Sequence, residues 1–143
     1  MKDLDPAIRD EIDKLFIRSK ERLHSGDKAG AIQDAEMAWK ALPEPKFDWD
    51  VSKSFALALT KSYRDAGHFQ GALNLMRELF SSGTVKPYQD GPRFIIATIY
   101  FEMNDRESAK KWFSEADKIS KGRCFQGQDK KYLLFYRQIT GKQ

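Results

Sequence analysis

Residues Ser25–Leu42 read SGDKAGAIQDAEMAWKAL, and two later stretches repeat the plan: Ala66–Phe80, AGHFQGALNLMRELF, and Met103–Ile119, MNDRESAKKWFSEADKI. Each stretch opens on a turn residue, Gly26, Gly67 or Asn104. Five residues on come Ala31, Ala72 and Ala109; four further, Ala35, Met76 and Phe113; three more, Ala38, Leu79 and Ala116. Steps of four and three keep these side chains on one face of a helix that follows the turn. The turn residues lie 41 and 37 positions apart. Self-similarity at such a period is the mark of stacked helical hairpins. Small residues let the two helices of a hairpin approach closely, and large ones fill the gap to the next hairpin.

Outward from these stretches the pattern stays helical. Ile8, Ile12, Leu15, Phe16 and Leu23 predict a helix over Pro6–Leu23, with Asp5 as its cap and Pro6 in the first turn, where a missing N–H costs nothing. Asp27 is placed to cap the second helix, whose apolar face ends with Trp39 and Leu42 before Pro43 and Pro45 stop it. A third helix over Val51–Ala66 carries Phe55, Leu59 and Tyr63. The fourth carries Ala72, Met76, Leu79 and Phe80, and SSGTVKPYQD (Ser81–Asp90) reads as a loop. Pro92 opens a fifth through Phe94, Ile95, Ile96 and Tyr100. Asn104 to Glu107 has the form of a capping box for the sixth. Gly122 breaks the chain before a seventh helix, about Asp129–Ile139, with Tyr132, Leu133, Phe135 and Tyr136. The expected fold is all-α, with no strand. Three helix-turn-helix hairpins (about 6–43, 49–82 and 91–121) and a C-terminal capping helix (about 128–139) form a single domain over 1–143. The joint LPEPKFDWD (Leu42–Asp50) reads as a connector, with Asp48 or Asp50 capping the third helix and Trp49 packing back onto the first hairpin.

Bulk properties bound the function. The 143 residues are 41% hydrophobic and 32% charged, with 18 aromatic side chains, enough to fill a core and wet a surface. The net charge of +4 is too mild to imply nucleic acid by itself. It is graded, however. Residues 1–44 hold 8 basic and 10 acidic side chains, residues 45–90 hold 6 and 5, and residues 91–143 hold 11 and 6. One cysteine, Cys124, leaves no intrachain disulfide. With no apolar run near the roughly 20 residues of a membrane span, and no apolar signal region in MKDLDPAIRD, the expected location is the cytoplasm.

The chain offers little chemistry. His24 and His68 flank turns and lack a metal-ligand partner at helical spacing, so no metal and no cofactor are expected. Cys124 has no histidine context for a nucleophile, and no phosphate loop or nucleophile elbow occurs. The expectation is a non-enzyme. Basic clusters at Lys110-Lys111, Lys118–Arg123 and Lys130-Lys131 stand near Phe125 and Tyr132. Tyr132 falls on an amphipathic face, which favours packing over base stacking and a solvated face over a nucleic-acid site.

The aligned positions resemble the tetratricopeptide repeat (TPR), whose pattern places Tyr before the turn, then Ala, an aromatic, Ala and a closing Pro. Tyr63 and Tyr100 lie four residues before their turns, and Pro43 closes the first unit. The spacings exceed the usual 34, and Arg22 stands where the first tyrosine belongs. Two segments are more specific. Leu42, Pro43, Glu44, Pro45, Lys46, Trp49 and Asp50, and in the tail Gly122, Phe125, Gly127, Asp129, Lys131, Tyr132, Leu133 and Phe135, resemble a group of small stand-alone bacterial TPR proteins. Those are taken for immunity proteins encoded beside polymorphic or contact-dependent toxins. The resemblance implies a TPR-like α-solenoid that binds a protein partner, a toxin domain or a peptide segment, on a concave face lined by the first helix of each hairpin. On that face it implies Phe16, Lys20, Leu57, Lys61, Arg64, Phe94, Thr98 and Phe101, aromatic anchors mixed with cations. The lysine-and-asparagine pattern of TPRs that clamp chaperone C-termini is absent. The resemblance therefore implies an immunity-type inhibitor, with a general peptide-binding adaptor as the alternative.

Overall fold

The computed structural model describes residues 1–142. It is all-helical, with seven α-helices: α1 (Pro6–His24), α2 (Lys28–Ala41), α3 (Ser52–Asp65), α4 (Phe69–Ser81), α5 (Asp90–Glu102), α6 (Arg106–Ser120) and α7 (Lys130–Thr140). Short 3₁₀ turns at Lys46–Asp48 and Arg123–Phe125 precede α3 and α7. The chain divides into two compact units, Met1–Val85 with α1–α4 and Lys86–Gln143 with α5–α7.

Three turns of the same construction join α1 to α2, α3 to α4 and α5 to α6. Gly26, Gly67 and Asn104 take positive φ angles of 89°, 84° and 63°. The next residue in each case donates its N–H to the carbonyl five positions back: Asp27 to Arg22 at 2.8 Å, His68 to Tyr63 at 2.7 Å, Asp105 to Tyr100 at 2.9 Å. The turn residues themselves donate to Leu23, Arg64 and Phe101 at 3.0–3.1 Å, which completes a Schellman motif at all three helix ends. The alignment of the three stretches is therefore a physical equivalence. All nine aligned apolar positions are buried, Ala31, Ala72 and Ala109 among them.

Caps follow local chemistry. Asp5 accepts from Ala7 N at 2.8 Å with Pro6 at the helix start, and Asp27 accepts from Gly30 N at 2.9 Å. Asp129 caps α7 through Lys131 N at 3.1 Å. Two expectations change. The expected capping box at Asn104 is not formed: Asn104 is spent on the left-handed turn, and Asp105 caps α6 through Ser108 N at 3.1 Å. Neither Asp48 nor Asp50 caps α3, which has no side-chain cap. Instead the Ser52 hydroxyl accepts from Trp49 N at 3.2 Å and donates to the Lys46 carbonyl.

In the first unit one cluster joins Leu4, Ile12, Leu15, Ala38, Leu42, Val51 and Phe55, with Trp39 and Trp49 against its edge. Trp49 also donates its indole N–H to the Pro43 carbonyl at 2.8 Å. The joint has a partner that periodicity does not announce. Lys2 N donates to Asp48 O at 3.0 Å and Asp50 N to Lys2 O at 2.9 Å, an isolated parallel bridge that carries Leu4 into the core. In the second unit Phe94, Phe113, Phe125, Tyr132, Phe135 and Tyr136 form an aromatic core. Phe113, fully buried, lies 5.3 Å from Phe94 and 5.5 Å from Phe125 by ring centroids. Burying such a ring stabilises by about 1.5–3 kcal/mol.

Candidate functional site

Among the described residues, no group of three His, Cys, Asp or Glu side chains stands where it could hold a metal ion, and no helix is long and apolar enough to cross a membrane. Cys124 is buried, and loss of solvation pushes its thiol above the usual range, which disfavours the nucleophilic thiolate. His24 is exposed, as is His68, which stacks on Tyr63 with ring centroids 6.3 Å apart.

The first unit contains an open cleft of about 250 Å³ between α1 and α3. One wall is Phe16, Ser19, Lys20 and Leu23; the other is Ala58, Lys61, Ser62 and Asp65. Both walls arise from helical spacing. Positions 16, 19, 20 and 23 share a face of α1, and 58, 61, 62 and 65 share a face of α3. The Phe16 ring is half-buried and lies 5.7 Å from Phe55, which ties the floor of the cleft to the core. The Ser19 hydroxyl is buried and donates to the Ala31 carbonyl, so it is committed to the α1–α2 contact.

Two cations converge on this cleft. Lys20 and Lys61 are exposed, and among the described residues neither forms an ion pair or a side-chain hydrogen bond. Lys61 nevertheless feels its surroundings. Loss of solvation, followed by repulsion from Arg64, holds its ammonium below the ordinary lysine range; Asp65 opposes the shift, and Lys20 adds a smaller push. An arriving carboxylate would relieve that repulsion. Arg64 is half-buried, and its Nε donates to Asp65 at 2.8 Å.

Of the side chains expected on a binding face, Phe16, Lys20 and Lys61 are brought together here. Leu57 is half-buried on α3 and does not line the cleft, nor does Arg64. The three on α5 are placed differently. Phe94 is 4% exposed, in edge contact with Phe113, Phe125 and Tyr132. Thr98 is fully buried and donates its hydroxyl to the Ile95 carbonyl at 2.7 Å. Phe101 is half-buried, edge-on to Tyr132 at 5.3 Å and Phe135 at 5.1 Å. The expectation is corrected for Phe94 and Thr98: Phe125 and Tyr132, from α7 and its preceding turn, cover Phe94, and Thr98 is fully buried, so neither side chain offers a contact surface. Ser19, Leu23, Ala58, Ser62 and Asp65 escaped the sequence reading, although their spacing of three, four and seven along α1 and α3 carries the signal.

The second unit has its own cleft of about 280 Å³, lined by Asp117, Gly122, Phe125, Gln126, Leu133, Tyr136, Arg137 and Lys142. Tyr136 donates its hydroxyl to Asp117 Oδ2 at 2.7 Å, and Lys142 Nζ donates to the same oxygen at 3.1 Å. Burial, then the hydrogen bond to Asp117, pushes the Tyr136 hydroxyl above the usual tyrosine range.

Compared with known proteins, the chain matches no family model, no curated protein sequence and no solved structure.

Proposed function

We propose that this chain is a TPR-like solenoid acting as a non-catalytic protein-binding module, and that its partner is a bacterial toxin domain that it neutralises by steric block. The repeat reading is supported by the three identical hairpin turns and the nine buried aligned positions. The binding reading is carried by one observation: Lys20 and Lys61, neither of them in an ion pair among the described residues, converge on a cleft floored by Phe16, whose one carboxylate, Asp65, is bonded to Arg64. Converging cations are costly for the free protein and are answered by an anionic group on a ligand. The toxin partner follows from the likeness of the joint and tail segments to small bacterial immunity proteins.

A second reading, a general adaptor for a peptide segment, is favoured by the size of the cleft. About 250 Å³ suits one or two side chains. Co-expression with a toxin domain encoded beside the gene separates the two. The immunity reading expects a stable complex and restored growth. Failure of both overturns it and leaves the adaptor, for which linear acidic peptides are the ligands to titrate.

A further inference from the structure

The second unit carries 12 basic and 7 acidic side chains, a net +5, whereas the first carries 13 and 14, a net −1. Four of those seven acids are used internally. Asp105 and Asp129 cap helices, and Glu102 and Asp117 pair with Lys131 and Lys142. Beyond Lys142, which pairs with Asp117 in the cleft wall, four nearby cations are not answered in this way. Lys118, Lys121, Arg123 and Arg137 are exposed, and among the described residues none has an ion pair or a side-chain hydrogen bond. The fold gathers them. Arg137 lines the cleft, and Lys121 and Arg123 are the chain neighbours of Gly122, which also lines it. The Lys121-Gly122 pair is held in the left-handed region, with φ angles of 55° and 84°, which turns the chain sharply out of α6 and puts two cations on the corner.

The cleft mixes the apolar Leu133 and Phe125 with the cations Arg137 and Lys142, and its one carboxylate, Asp117, is already bonded to Tyr136 and Lys142. Leu133 is half-buried in its wall, with Phe125 and Tyr136 beneath. We propose that this cleft docks an acidic segment of a protein partner, its carboxylates meeting Arg137, Lys121 and Arg123 and an apolar neighbour resting on Leu133. Arginine forks suit carboxylates, and rim cations speed association while making it salt-dependent. Nucleic acid fits less well. The rings at this cleft are 9% exposed for Phe125 and 3% for Tyr136, so a base finds no face to stack on. The assignment rests on the second unit alone and stands or falls apart from the α1–α3 cleft.

The test titrates the full chain with two fluorescent probes, a peptide of alternating glutamate and leucine and an oligouridine of matched length, at low and raised salt. The peptide should bind, and added salt should weaken it. The K121E/R137E double variant should lose about tenfold in affinity. The K110E/K111E double variant carries the same charge change about three turns before Lys121 on α6, outside the cleft, and should stay within about twofold of the parent. No binding of the peptide, tighter binding of the oligouridine, or an equal loss in both variants overturns the assignment.

Discussion

Arg22 Nε donates to Asp34 Oδ2 at 2.7 Å, from the position that Tyr63 and Tyr100 fill in the later hairpins. The departure is a paired one. Asp34 occupies the place of Leu75 and Trp112, so cation and carboxylate replace a tyrosine and an apolar side chain together. Arg18 completes the site with a two-pronged contact to Asp34 at 2.8 and 2.9 Å. The Asp34 side chain is 5% exposed, and hydrogen bonding from Arg18 holds its carboxyl below the usual carboxylate range.

Asp34→Asn therefore removes the charge from three charge-assisted bonds and turns one accepting oxygen into an NH2 donor facing the guanidinium groups. Both arginines remain partly in water, so the expected loss is about 1.5–3 kcal/mol rather than the larger cost of a stranded buried charge. The sign with pH follows from the depressed folded value. The contribution is fully present above the unfolded value of about 3.9 and is lost as pH falls through the lower folded value. Urea melts of both proteins should show a gap at neutral pH that narrows below about pH 4. A gap that widens on acidification contradicts the pairing.

The three turns predict opposite outcomes for two substitutions. A Cβ at Gly67 meets nothing within 4 Å, so Gly67→Ala should cost only the positive φ, about 1 kcal/mol. Asn104→Gly should be neutral or slightly stabilising, since asparagine bears the φ of 63° less easily than glycine. Chemical denaturation of the two variants checks both signs.

How much of this was legible in the sequence depends on how local the cause is. The turns and the aligned alanines read directly, because a Schellman turn and a close helix contact each need a residue type at a fixed spacing. Lys2 and Leu4 did not read at all: their bridge to the joint joins residues more than forty apart, with no periodicity to mark it. For Phe94 and Thr98 an amphipathic pattern shows a stripe but not which neighbour covers it. For Phe94 that neighbour is α7 with its preceding turn. Asn104 was read as a cap because its spacing to Glu107 fits one, whereas the turn claims it first.

Lys46 has a structural role in the joint. Its ammonium donates to the carbonyls of Trp39, at 2.7 Å, and Leu42, and lies 5.7 Å from the centre of the Trp39 ring. It thus closes the C-terminal end of α2, where orphan carbonyls gather. Lys46→Met keeps the stem but not the donors, and should cost about 1–2 kcal/mol, read as a fall in the thermal midpoint. An unchanged midpoint removes this role.

Deleting Gly127–Gln143 takes away Tyr132, Phe135 and Tyr136, three rings of the second unit's core. The truncated chain should aggregate or lose helicity beyond the share that α7 itself contributes. Circular dichroism and size-exclusion chromatography report both. A soluble chain with helicity reduced only by the residues removed contradicts the packing role of α7.

The proposed function requires complex formation through the α1–α3 cleft. Its most direct measurement is co-purification of the tagged chain with a toxin domain encoded beside it, for the parent and for Lys20→Glu/Lys61→Glu. Both lysines are exposed and unpaired among the described residues, so the double variant should fold as the parent does. The parent should form a stable complex, and the variant should lose at least about tenfold in affinity. Retention of the toxin domain at the parent's level by the variant contradicts the cleft as the docking site, and no complex with the parent contradicts the immunity function itself.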